Sequence, residues 1–149
     1  MIVVTIISFI AALAMPAIRK ITGSAKASAV VNDLRVFNSA FAAQAQQAGT
    51  YPAEVAVGVM PAEMVGSSLG NTGWLRTTPI GGNYNWDNNR NHAGVTPKAA
   101  VSINSNGGNL VSTDRALLTL IDSRIDDGDL NTGNFFLGAN SEPVYIIER

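Results

Sequence analysis

The sequence of 149 residues contains no cysteine and a single histidine, His92. Without cysteine the chain can form no disulfide, no thiol nucleophile and no cysteine-ligated zinc site. One histidine leaves little material for a histidine-rich metal site or for a Ser-His-Asp triad. His92 stands among Asn and Gly residues, so we predict that it is a solvated loop side chain.

The sequence also lacks an excess of charge of either sign. Its 10 Lys and Arg residues and 11 Asp and Glu residues give a formal net charge of −1 at pH 7. These charges are mixed along the chain, and aromatic residues do not alternate with basic ones as base-stacking platforms would. We therefore expect no nucleic-acid partner. No residue pattern predicts a catalytic residue, and we expect that the protein is not an enzyme.

What the sequence does contain is an uncharged N-terminal run from Met1 to Ile18, MIVVTIISFIAALAMPAI. About 18 such residues are the lower limit for a helix that crosses a bilayer. No basic segment precedes the run and no clean small-residue site ends it, which argues against a cleaved secretory signal. A buried core helix is the other alternative, but the run is apolar on every face. We predict a membrane helix that is kinked or locally melted at Pro16.

The helical pattern continues to about residue 48 but becomes amphipathic. Within 19–48, apolar residues recur at spacings of three and four, which predicts one buried stripe: Val30, Leu34, Phe37, Phe41 and Ala45. A single helix over 1–48 would be about 70 Å long, too long for a compact domain of this size. Its N-terminal half must therefore project, and Gly49 is predicted to end it.

Residues 49–149 predict a small globular α+β head. Short strands are expected at the end of Thr78–Asp87 and at Ala99–Ile103, Phe135–Leu137 and Val144–Ile147. A second helix is expected from an N-cap at Ser112-Thr113-Asp114 to about Asp126. This order predicts an antiparallel sheet laid on the amphipathic part of the first helix. The chain then divides into a transmembrane or polymerisation half (1–18), an amphipathic half (19–48) and the head (49–149), with 19–149 forming one exported domain.

Acidic residues concentrate near the end of the second predicted helix. Oxygen ligands on a tight loop suit Ca²⁺, so Asp126, Asp127 and Asp129, together with Asn131, are candidate calcium ligands. The spacing does not match an EF-hand, and the default interpretation is a solvated helix end followed by a turn. Asp122, one helical turn before Asp126, is expected on the helix surface, where the two carboxylates do not predict a glycosidase pair. No other cofactor is predicted.

The segment MIVVTIISFIAALAMPAIRKI resembles the N-terminal segment of type IV pilins and of the pseudopilins of type II secretion systems. Pro16 and the small-residue run Ala11, Ala12, Ala14 and Ala17 match the apolar stretch of that family. In the family, a leader that ends in Gly and a Phe-Thr-Leu-Ile-Glu-Leu-like run precede this stretch. Neither is present in this sequence, so we expect that the prepilin-type methylation motif is truncated before the cleavage site. Leader cleavage and N-methylation are therefore assigned to no residue.

The resemblance implies a pilin-like fold and a structural role. The chain would be a subunit of a type IV pilus-like or type II secretion pseudopilus filament, with other pilin-like subunits and an assembly platform as partners. It would cross the bacterial inner membrane once, with its C-terminal head in the periplasm or outside. The implied assembly surface is on the N-terminal helix, at Val4, Ile7, Phe9, Ala12, Leu13 and Pro16. Some pseudopilins carry a structural calcium in a C-terminal loop, which adds weight to the acidic residues here.

A second hypothesis is a membrane-anchored exported binding module that does not polymerise and that binds carbohydrate or calcium. Tyr84, Trp86 and the Asn-rich loop after them would form its face. Core packing is the plainer interpretation of the two alternating rings. The sequence leaves open whether a filament would serve a pilus, secretion or competence system.

Overall fold

The computed structural model describes residues 2–149, apart from the side chains at positions 5, 11, 13–17 and 68. Within these residues it contains a long helix, a second helix and a four-stranded antiparallel sheet, which confirms the predicted α+β class. The strands lie in the order β1-β2-β4-β3. The elements are α1 (Ile2–Ala48), β1 (Asn83–Asp87), β2 (Ala99–Asn104), α2 (Arg115–Ile125), β3 (Phe135–Leu137) and β4 (Pro143–Glu148).

Helix α1 is assigned as one helix of 47 residues, which corresponds to a length of about 70 Å. Its C-terminal half buries four members of the predicted stripe, Val30, Leu34, Phe37 and Phe41, together with Ala27 and Val31. The fifth predicted member, Ala45, is half-buried. The helix ends before Gly49, whose φ of 76° lies in the left-handed region. The Gly49 amide donates to the carbonyl oxygen of Ala45 at 2.8 Å, so the predicted stop is confirmed.

One face of the sheet packs on α1. The antiparallel register pairs Tyr84 with Ile103 and Trp86 with Val101, which places these four side chains on that face. Tyr84 and Trp86 are fully buried. Their packing in the core is therefore confirmed, and the carbohydrate-binding face proposed for the two rings is wrong because neither ring reaches the surface.

The loop between β1 and β2 covers the opposite face of the sheet. Val95 of this loop packs on a small apolar cluster formed by Ala100, Phe136, Val144 and Ile146. His92 pairs with Val95 through two backbone hydrogen bonds of 2.7 and 3.0 Å, and its side chain is only 1% exposed. The prediction of a solvated His92 is wrong, because the loop folds back over the sheet instead of extending into water.

Helix α2 begins as predicted and packs against α1. The Asp114 carboxylate caps it by accepting from the amides of Ala116 and Leu117, at 3.0 and 3.4 Å. Leu118 and Ile121 are buried on its inner face, and Asp122 is buried beside them. The expectation that Asp122 lies on the helix surface is therefore wrong.

Candidate functional site

The N-terminal half of α1 exposes large apolar side chains. Ile2 is 78% exposed and Phe9 is 71% exposed. Neighbouring residues on a helix point about 100° apart, so the consecutive members of this set lie on different faces: Ile2, Val3, Val4, Ile6, Ile7, Phe9, Ile10, Ile18 and Ile21. We call the segment of α1 that carries these nine side chains, residues 2–26, the apolar rod. An exposed apolar surface of this extent is typical of an interaction site.

The residues predicted for assembly fall within this segment. Val4, Ile7, Phe9 and Ala12 are exposed. Leu13 and Pro16 fall at positions whose side chains lie outside those described, and the helix is assigned continuously across both. The kink at Pro16 stays a prediction. In the part of the chain that the structure describes, no helix combines the length and the apolarity required to cross a membrane.

The acidic loop, residues 126–134, joins α2 to β3. Asp126 Oδ2 accepts hydrogen bonds from the amides of Asn134 and Phe135, the latter at 3.1 Å. Gly133 permits this close approach, because a Cβ at that position would clash with the Asp126 carboxylate. Asp126 thus holds the start of β3 against the end of α2.

The other two loop carboxylates each have donors inside the loop. Asp127 accepts from the Asp129 amide and from the Thr132 hydroxyl, both at 2.9 Å. These hydrogen bonds lower the pKa of Asp127 below its ordinary value. Asp129 Oδ1 accepts from the Asn131 amide at 3.1 Å and from its side chain at 2.8 Å. Turn formation alone explains these contacts.

Asp122 is different, because turn formation does not explain it. Its side chain is fully buried, and neither carboxylate oxygen has a hydrogen-bond partner among the described residues. Burial raises the pKa of Asp122 to about 6; the Gly128 amide opposes this, and the charges of Asp127, Asp126 and Asp129 add to it. The Gly128 amide does not reach hydrogen-bond geometry with either oxygen. A buried carboxylate is costly unless it is protonated, hydrogen-bonded or bound to a cation, so Asp122 is a candidate cation ligand.

Three carboxylates converge at this point. One oxygen from each of Asp122, Asp126 and Asp127 lies within 4.8 Å of the other two. Calcium–oxygen distances of about 2.3–2.6 Å place two ligands of one ion at most about 5 Å apart, so the three oxygens fit around one Ca²⁺. The geometry therefore brings together two of the predicted ligands and adds Asp122, while Asp129 lies outside this group.

A signal for Asp122 was present in the sequence. Asp122 follows Leu118 by four residues and precedes Ile125 by three, so it lies on the apolar stripe of α2. An acidic residue on a buried stripe indicates a charge that must be paired or neutralised. The predicted calcium ligands were grouped by their closeness in sequence, so Asp129 was named instead of Asp122.

A buried polar cluster lies under the β1–β2 loop. The Ser102 hydroxyl donates to Asp87 Oδ2, and the Asn85 amide donates to Asp87 Oδ1 at 2.7 Å. His92 Nδ1 lies 2.9 Å from Glu142 Oε1, and its Nε2 lies 3.5 Å from Asp87 Oδ2. Burial alone would lower the pKa of His92, but the hydrogen bonds and charges of Asp87 and Glu142 outweigh it and raise that pKa above 6.5.

This cluster does not have the geometry of a catalytic triad. In a triad the histidine lies between the serine and the carboxylate and accepts the serine proton. Here Ser102 donates to Asp87 directly, and both ring nitrogens of His92 face carboxylates. The cluster instead joins the loop, β1, β2 and the β3–β4 connection through one buried ionic network.

A shallow groove of 580 Å³ lies where α1 ends, beside Tyr51, Asn88, Lys98 and Glu148. Its charged side chains are paired with each other, since Lys98 Nζ lies 2.7 Å from Glu148 Oε1. Burial of the ring, together with its hydrogen bond to Glu148, raises the pKa of Tyr51. The charged groups of the groove are therefore already paired within the chain.

No protein-family model matches this chain. No curated protein and no solved structure matches it at a significant level. The features of the chain that bear on its function are therefore the apolar rod, the acidic loop and the head that carries them.

Proposed function

We propose that this chain is a pilin-like structural subunit that polymerises through the N-terminal half of α1 into a type IV pilus-like or type II secretion pseudopilus filament. One observation carries the proposal: one helix has an amphipathic half fixed in a head and an apolar half whose described side chains the head leaves exposed. The resemblance of the first 21 residues to pilin N-termini agrees with it.

The free energy of the apolar rod supports assembly. Burying one Ile, Val or Phe side chain contributes about 1.5–3 kcal/mol. For the nine exposed side chains of the rod, full cover would contribute on the order of 10 kcal/mol or more. Copies of the same rod would supply that cover, and Ala12 among them would permit close helix approach.

The attachment of the rod to the head supports a filament rather than a closed oligomer. Among the described side chains of α1, Ala27 is the first that is fully buried. The segment before it, from Ile2 to Lys26, corresponds to about 37 Å of helix. Subunits stacked along such rods are related by a rotation and a rise, and a contact of that kind stays open-ended. Before assembly, the rod would lie in the inner membrane with the head on its periplasmic side.

The acidic loop has a structural place in this proposal. A Ca²⁺ ion held by Asp122, Asp126 and Asp127 would neutralise the buried carboxylate and hold the end of α2 against the start of β3. These residues lie in the head, so the ion would stabilise the subunit and leave the apolar rod unchanged.

A second candidate is an exported calcium-binding module that does not polymerise. The unpartnered Asp122 favours it as much as it favours a calcium-bearing subunit. The two candidates differ in what happens to the apolar rod, which would stay in the membrane as an anchor in the second case.

Shearing separates the two candidates. Cells that produce the protein from its own locus are sheared, and released filaments are separated from membranes by ultracentrifugation. We expect the chain in the sheared fraction, in filaments visible by electron microscopy and labelled by an antibody against the head. Recovery of the chain in the membranes alone would contradict the proposal and favour the non-polymerising module.

A further inference from the structure

Arg124, near the C-terminus of α2, reaches across to α1. Its Nη1 donates to the carbonyl oxygen of Ser24 at 2.9 Å and to the hydroxyl of Ser28 at 2.6 Å. Its Nη2 donates to the Ser24 hydroxyl at 2.8 Å. One planar guanidinium thus joins two successive turns of α1 through three hydrogen bonds, with its donors held in a fixed fork.

These contacts lie where the rod leaves the head. Ser24 and Ser28 are on either side of Ala27, which is the first fully buried residue among the described side chains of α1. On the N-terminal side of Ser24, Ile18 and Ile21 are largely exposed. Arg124 therefore attaches α1 to the head at Ser24, on the N-terminal side of the part of the helix that packs in the core.

In a second contact between the two helices, the donor lies on α1 and the acceptor on α2. Arg35 of α1 donates from Nη2 to the carbonyl oxygen of Arg124 at 3.0 Å, one of the terminal carbonyls of α2 that lack an intrahelical partner. Ser24 and Arg35 are separated by about 16 Å along the axis of α1. At that separation the two contacts add to the core packing of α1 in holding the direction of the helix relative to the head.

We propose that Arg124 is a positioning residue that sets the direction in which the apolar rod leaves the head. Its consequence for assembly rests on the proposed function. A rod of about 37 Å that turns by about 10° at its exit moves its tip by about 6 Å. Because packed helices lie about 8–10 Å apart, a tilt of that size would take the rod out of register with its neighbours.

The direction of the rod can be measured without any filament. The chain has no native cysteine, so nitroxide labels attach only to introduced ones, at Ser8→Cys on the rod and Thr119→Cys on the exposed face of α2. Pulsed electron paramagnetic resonance on the full chain in detergent micelles then gives the rod-to-head distance distribution. We expect a distribution at least twice as wide for Arg124→Ala as for the parent, and an intermediate width for Arg124→Lys.

The control is Arg115→Ala, which removes an exposed arginine from the opposite end of α2. It should leave the distribution unchanged. The double variant Ser24→Ala/Ser28→Ala removes the hydroxyl acceptors while retaining Arg124, and it should also widen the distribution if Arg124→Ala fails to fold. The Tm of each variant, measured in parallel, separates loss of direction from loss of stability.

An unchanged distribution in a folded Arg124→Ala variant would overturn the positioning role. Filament yield tests the consequence separately: if the parent chain assembles, Arg124→Ala should assemble at least several-fold less. Normal filaments from a variant with a widened distribution would overturn the link to assembly. A parent chain that forms no filaments would contradict the proposed function. It would not affect the positioning role of Arg124, which the distance distributions test independently.

Discussion

The indole ring of Trp86 lies flat against the ring of Phe41, with ring centroids 3.9 Å apart and 11° between the ring planes. Trp86 belongs to β1 and Phe41 to α1, so this stack joins the sheet to the long helix. The indole nitrogen donates to the carbonyl oxygen of Pro52 at 3.0 Å, which satisfies the polar atom of the buried ring. The rod is therefore continuous with a helix that is fixed in the core.

Replacement of Phe41 tests this attachment. We expect Phe41→Ala to lower the free energy of unfolding by about 3–5 kcal/mol, because it removes a fully buried ring and leaves a cavity. Phe41→Leu should cost clearly less, because it keeps most of the apolar volume. Urea denaturation of the full chain in detergent, followed by tryptophan fluorescence, measures both values. Equal costs for the two variants would contradict the stacking role.

Calcium should stabilise the head through Asp122. We expect the Tm to rise by several degrees with calcium relative to chelator, because the ion neutralises a buried carboxylate without a partner. Asp122→Asn should raise the Tm in chelator and abolish the response to calcium. Asp129→Asn is the matched control and should keep the response. A Tm that calcium does not change in the parent chain would remove the metal site.

The stability of the head should depend on the protonation of His92. Its pKa is raised in the folded state by Asp87 and Glu142, so the folded state holds the proton more tightly than the unfolded state. The resulting stabilisation is fully present below the unfolded-state pKa of about 6.5 and is lost as the pH rises through the folded-state pKa. We expect the free energy of unfolding to fall with pH over this window.

His92→Gln should abolish that fall, because the substitution removes the titrating group from between the two carboxylates. Urea denaturation of the parent and variant chains from about pH 6.5 to 9, above the pKa of about 6 of Asp122, measures the dependence. Thr96→Ala, in the exposed part of the same loop, should retain the parent profile. Parallel profiles for the parent and His92→Gln would show that the buried cluster does not bind a proton more tightly on folding.

Local sequence patterns predicted the elements of the head with little error. The spacing of Val30, Leu34, Phe37 and Phe41 alone indicated which side of α1 is buried, because helix periodicity is a property of neighbouring residues. The Asp114 cap depends on a carboxylate and the Gly49 stop on the absence of a Cβ, both within one turn of a helix end, and the structure contains both. The antiparallel sheet on α1 followed from the order of these elements.

The buried charges could not be predicted in the same way. His92 meets Glu142, 50 positions further along the chain, only because the β1–β2 loop folds over the sheet. No local pattern of polar and apolar residues in that loop predicts this contact. The prediction that Asp122 lies on the helix surface is wrong for a different reason. Its position on the apolar stripe of α2 is visible in the sequence, but its acidic neighbours suggested a solvated helix end.

A comparison of Ile7→Asp with Ile7→Leu tests most directly whether the apolar rod drives assembly. Ile7 is 61% exposed and lies far from the core, so both variants should keep the parent Tm. From cells that produce each variant at parent levels, we predict parent filament yields for Ile7→Leu. For Ile7→Asp we predict yields at least about tenfold lower, because every contact between rods would bury a carboxylate. Filaments of normal yield from Ile7→Asp would contradict the account.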